Sequence, residues 1–104
     1  MKFDVFYCGM FEVWFTNKDP MKLYEAVYKL NKDMIEGLEL YVSVADIIRE
    51  AYGTCKISEM EKWGWNINRT GLIIIELIPC TLLGNAVYEL NFVNKPIKNF
   101  HLLH

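Results

Sequence analysis

Three cysteines, two histidines and a scatter of glutamates are the residues of this 104-residue chain whose types can do chemistry. Cys8 precedes Gly9 at the expected tip of a hairpin, where a neighbouring cation would lower the thiol pKa and make it a nucleophile. Such a thiol also wants a histidine base, and the only histidines, His101 and His104, stand at the far end of the chain. Their i, i+3 spacing can put two imidazoles on one helical turn, but a metal needs further ligands and groups that orient them. Cys55 and Cys80 read as small hydrophobes. Among the carboxylates Glu36, Glu39, Glu59, Glu61, Glu76 and Glu89, Glu76 stands out because it interrupts an apolar run. A solvated face is the expected place for it, since buried glutamates are uncommon. Neither Gly64 nor Gly71 is followed by lysine in the pattern of a phosphate loop. No catalytic residue, metal ligand or cofactor is assigned, and the chain is expected not to be an enzyme.

The aromatic residues carry more. Large amphipathic rings dominate the binding energy of protein interfaces, and they also fill cores. Trp65 leads straight into an apolar run and is expected in the core. Trp14 falls on the mixed face of a hairpin together with Phe6, beside Asp4 and Glu12, which suits a partner-facing anchor. Tyr24 and Tyr28 sit on the margin of the first helix. The candidate partner-binding residues are therefore Trp14, Phe6, Tyr24 and Tyr28.

The elements that must position these residues follow from spacing. Phe3, Val5 and Tyr7 alternate along one strand and Phe11, Val13 and Phe15 along the next. A loop of Cys8-Gly9-Met10 would pair Tyr7 with Phe11, Val5 with Val13 and Phe3 with Phe15, putting those six residues on the core face. The common three-residue loop wants its left-handed glycine at the third position, not the second, which is a conflict within this register. Asp19-Pro20 starts a helix whose stripe is Leu23, Val27, Leu30 and Met34, with Gly37 as its terminator. Leu38 to Val42 is a short β-leaning stretch. Ser43 with Asp46 three residues on opens a second helix that Gly53 ends, and Ser58-Glu59-Met60-Glu61 supports a turn or two more. Leu72 to Ile78 reads as a central strand covered on both faces and ended by Pro79, and Ala86 to Phe92 as its half-exposed partner. The tail has Ile97, Phe100, Leu102 and Leu103, apolar enough to dock. The whole, residues 1–104, is expected to be a single α+β domain: an antiparallel sheet of four or five strands, made by the N-terminal and C-terminal hairpins, with two main helices on one face.

Composition bounds the function classes. A net charge of −2 gives no general attraction to phosphate, so nucleic-acid binding has no electrostatic driver. Apolar residues at 53% and aromatic residues at 14% are a slight surplus for an ordinary domain, which favours a protein partner or a homodimer. An odd number of widely spaced cysteines fits a reducing compartment, and no stretch reaches the roughly 20 apolar residues of a membrane span. A cytoplasmic location is expected.

The order of a helix reading SVADIIREAYG, a short connector, WGWN, a strand, a turn and a final strand resembles small accessory proteins of unknown function from phages and conjugative elements of low-GC Gram-positive bacteria. The resemblance covers the C-terminal 60 residues or so, and Gly64-Trp65-Asn66 is its distinctive motif. It implies an α+β fold and a mobile-element origin, and it brings no active site. The function expected is a non-enzymatic protein-interaction module of a mobile element, with inhibition of a host defence protein, as an anti-CRISPR does, as its specific form. The alternatives are a small enzyme or ligand-binding domain using Cys8 or a pocket between sheet and helices, and a structural homo-oligomer of a phage particle.

Overall fold

The apolar stripe spaced 4-3-4 does form a helix: α1, Lys22–Ile35, buries Leu23, Ala26, Val27, Leu30 and Met34. The computed structural model describes residues 4–102, with the side chain of Leu82 left aside. Asp19 accepts from the Met21 N–H at 3.0 Å, as a capping carboxylate should. The N–H groups of Lys22, Leu23 and Tyr24 reach back only three residues, so a tight turn precedes the regular helix and moves its start beyond Pro20. At the other end Gly37, at φ 78°, donates to the Met34 carbonyl while Leu38 donates to Asp33, the paired bonds of a Schellman ending. Helix α2, Val44–Tyr52, leads directly from strand β3, Tyr41–Ser43. Ser43 Oγ accepts from the Asp46 N–H and Asp46 Oδ2 from the Ser43 N–H, a complete capping box, and Gly53 closes the helix at φ 89°.

The remaining strands are β1, Val5–Cys8; β2, Val13–Thr16; β4, Trp63–Asn66; β5, Ile75–Leu82; β6, Asn85–Phe92; and β7, Ile97–Lys98. They make two sheets, of order β2-β1-β6-β5 and β3-β4-β7. The expectation of one antiparallel sheet is corrected in two ways. The short strands beside α2 form a sheet of their own, and β1 runs parallel to β6. The parallel pair follows from the helices. They carry the chain back across the sheet, so the second hairpin starts in the direction of β2 and its return strand matches β1.

The N-terminal hairpin has a different register from the expected one. Its connection is a 3-10 turn, Gly9–Phe11, followed by Glu12 in the left-handed region at φ 53°. Val5 therefore stands opposite Thr16, Phe6 opposite Phe15, Tyr7 opposite Trp14 and Cys8 opposite Val13. The shift is an odd number of residues, which turns β1 over relative to β2. Phe6 and Cys8 now face the core with Val13 and Phe15, and Val5 and Tyr7 face out with Trp14. Phe3, part of the expected core face, lies outside the described residues.

The apolar run 72–78 is not a central strand. It leads into β5 at the sheet edge, with Ile73, Ile75 and Leu77 buried and Ile74, Glu76 and Ile78 exposed in strict alternation. Glu76 is solvated, as expected. Pro79 does not end the strand but pairs with Tyr88 inside it, which an edge tolerates because no partner needs its missing N–H. Leu83 and Gly84 turn the hairpin with φ 53° and 80°, the two positive values of a type I′ turn.

Helix α1 covers the edge that β5 would otherwise expose. The Asn31 side-chain amide exchanges two hydrogen bonds with the backbone of Ile73, and the Leu77 N–H donates to the Tyr24 hydroxyl at 2.9 Å. Between sheet and helices lie Phe6, Leu23, Val44, Ile47, Ile48, Met60 and Trp65, all at or near zero exposure. The WGWN segment is absorbed by packing. A Cβ on Gly64 would sit 2.2 Å from the Val42 carbonyl and 2.9 Å from the Phe100 ring. Trp65 donates to the Asn94 carbonyl at 2.8 Å and packs on Phe92. The buried Asn66 amide donates to the Phe100 carbonyl at 3.0 Å, docking the tail.

Candidate protein interface

The larger sheet has two faces with different fates. The inner face takes Phe6, Cys8, Leu90, Phe92, Ile75 and Leu77 into the core against the helices. The outer face is mixed: Trp14, Tyr7, Ile74, Ile78 and Val93 stand beside Glu76, Glu89 and Asn91, and several of its apolar side chains are exposed. One row across it reads Trp14, Tyr7, Glu89, Ile78, from β2 through β1 and β6 to β5. The Trp14 and Tyr7 rings lie 4.9 Å apart at a tilt, a directly opposed aromatic pair. Trp14 is 40% exposed, Ile78 41%, Ile74 52% and Val93 54%, while Val5 and Tyr7 are half-buried. Four-stranded sheets usually cover their second face or make it polar. Here neither holds.

The candidate residues named from sequence separate. Trp14 is exposed on this face, as expected. Phe6 is corrected: the hairpin register turns it inward, where it is 0% exposed and stacks on Phe15 with ring centroids 4.6 Å apart. Tyr24 shows part of its ring, but its hydroxyl holds the Leu77 N–H, so it serves the sheet edge. Tyr28 is 73% exposed on α1. Since α1 meets β5, and β2 lies at the opposite edge three strand spacings or about 14 Å away, the two tyrosines do not join Trp14 in one surface. Tyr7, Ile78 and Glu89 join it instead. Sequence reasoning missed them because it placed Tyr7 on the core side, and the pairing of β1 with β6 has no local signal.

No family model, curated protein or solved structure matches the chain. The reading of this surface therefore stands on its own geometry.

The Cys8 thiol is fully buried, and burial pushes its pKa up to about 11, the opposite of what a nucleophile needs. The nearby Glu89 charge acts in the same direction. His101 is exposed and packs edge-on against Tyr41 and Phe100, while His104 and Leu103 lie outside the described residues. Among the described residues no three His, Cys, Asp or Glu side chains converge as metal ligands, and no helix is long and apolar enough to cross a membrane. Between α1 and α2 a polar groove carries Lys29, Asp33, Glu39, Asp46, Arg49 and Glu50. Its charges are largely matched internally: Lys29 meets Asp33 and Glu50, and Arg49 bridges Asp46 and Glu61.

Proposed function

We propose that this chain is a non-enzymatic protein-interaction module that acts in the cytoplasm and binds its partner through the outer face of the larger sheet. The observation that carries the reading is the Trp14–Tyr7 pair, which continues through Glu89 to Ile78 as a row whose two ends are exposed aromatic and aliphatic side chains. A tryptophan held by a neighbouring ring has little rotamer freedom left to lose, which makes it an effective anchor. The burial of Cys8 weighs against the thiol-enzyme alternative. The resemblance of the C-terminal segment to accessory proteins of phages and conjugative elements supports a partner in the host cell, and blocking a host defence protein is the specific form we propose. The test is a pull-down from host cells with tagged wild-type, Trp14→Ala and Tyr28→Ala proteins. A partner retained by wild type and Tyr28→Ala and lost by Trp14→Ala supports the reading. A partner that Trp14→Ala retains in full overturns it.

A further inference from the structure

The four strands of the larger sheet carry charge of one sign. In β1, β2, β5 and β6 the only charged side chains are Glu76 and Glu89, and no lysine or arginine belongs to these strands. Both glutamates are on the outer face, as the exposure of Ile78 opposite Glu89 requires. Glu76 is opposite Asn91, so Glu76 and Glu89 are diagonal neighbours across the β5–β6 ladder, about 7–8 Å apart in backbone terms. Glu76 accepts from the Asn91 amide at 3.0 Å. Glu89 has no hydrogen bond or ion pair with any described residue. It stands between the Tyr7 ring and Ile78, with Oε1 against Gly9.

We propose that the outer face docks a partner protein whose own surface is apolar and basic, with an arginine or lysine reaching Glu89 and Glu76 across the rings of Tyr7 and Trp14. This rests on the interaction reading above and names the chemistry of its partner. A guanidinium is weakly hydrated, stacks on aromatic faces and pairs with carboxylates, so one arginine satisfies both halves of the row. A second copy of this chain fits poorly, because a two-fold contact through this face would bring in two sets of glutamates and no cation from these strands to meet them. The same sign of charge disfavours nucleic acid.

The test is selection of random peptides displayed on phage against the immobilised full chain. Enriched peptides are synthesised and titrated calorimetrically against wild type, Trp14→Ala and the double variant Glu76→Gln/Glu89→Gln, at low and high salt. These substitutions lie at exposed or half-buried surface positions, and the melting temperature of each variant checks that folding is intact. The expected peptides place arginine or lysine beside aromatic or aliphatic residues. Their binding weakens about tenfold or more in the double variant, weakens in Trp14→Ala, and falls with salt. Peptides that need Trp14 but carry no cation, or bind the double variant as well as wild type, overturn the assignment of a basic partner and leave the sheet-face reading in place. Binding indifferent to Trp14→Ala, or no enrichment at all, overturns both. A dimer in light scattering that Trp14→Ala dissociates gives the face to a second copy and also overturns the proposal.

Discussion

The side-chain amide of Asn31 meets the backbone of Ile73 with two hydrogen bonds of 2.9 Å each, one to the carbonyl and one from the N–H. This is the pair of bonds a further strand would make. The helix thereby stands in for a neighbour at the edge of β5, and Tyr24 does the same at Leu77.

Asn31→Leu should remove that substitute and leave the N–H and C=O of Ile73, a residue only 2% exposed, without partners. The expected loss is about 1–3 kcal/mol, read as a lower urea midpoint at unchanged slope. Tyr24→Phe removes a single acceptor and should cost about 1 kcal/mol. Both variants should aggregate more readily than wild type during refolding, because an edge is opened.

Gly64→Ala should be far more damaging than its size suggests. The added methyl would overlap the Val42 carbonyl at 2.2 Å, and that carbonyl belongs to the strand β4 pairs with. A cost above about 4 kcal/mol is expected, enough to abolish soluble folded protein. Gly53→Ala is the useful contrast: space is open there, and only its φ of 89° resists a side chain, at roughly 1 kcal/mol.

Alkaline pH should destabilise the protein through Cys8. The thiol titrates ordinarily at 9.0 and in the folded chain at about 11, so below 9.0 both states hold the proton and its contribution is complete. As pH rises from there towards 11 the unfolded state alone releases the proton, and stability falls by about 2–3 kcal/mol. Cys8→Ala should flatten this part of the pH–stability curve. Tyr52, whose pKa burial also raises and whose hydroxyl donates to the Asp19 carbonyl, continues the loss at higher pH.

Trp14→Ala and Phe6→Ala should separate the two faces of one hairpin. Trp14 is 40% exposed and its loss should shift the melting temperature little. Emptying the site of Phe6, which is 0% exposed, should cost about 3–5 kcal/mol. Equal losses in the two variants would show that something covers Trp14 in solution.

Local rules found the local structure. Ser43 and Asp46 announced α2 because a capping box is read within four residues, and Gly37 and Gly53 marked helix ends because a left-handed residue, most often glycine, is a common way for a helix to stop. The exposure of Trp14 was also legible, since it follows from alternation within β2 alone. Phe6 was misplaced because its facing depends on the turn between two strands, and Glu12, not a glycine, takes the left-handed position. The apolar run before Pro79 looked central because two-sided apolarity usually means two-sided cover. Here one side is the core and the other is the exposed row that includes Ile78. The part of the candidate interface supplied by Glu89 rests on the pairing of β6 with β1, a contact between residues too far apart for any pattern to reveal.

That same pairing sets an order of events. Phe6 takes its place beside Tyr88, and Cys8 beside Leu90, only after nearly the whole chain has been made. Either hairpin is marginal by itself and closing so long a loop is slow, so the four-stranded sheet is complete only once β1 meets β6. Trp14 and Tyr7 are paired within one hairpin and Ile78 and Glu89 within the other, and the β1–β6 pairing joins the two halves of the row. A chain cut before β5 therefore lacks Ile78 and Glu89 and keeps only the Trp14–Tyr7 half of the row.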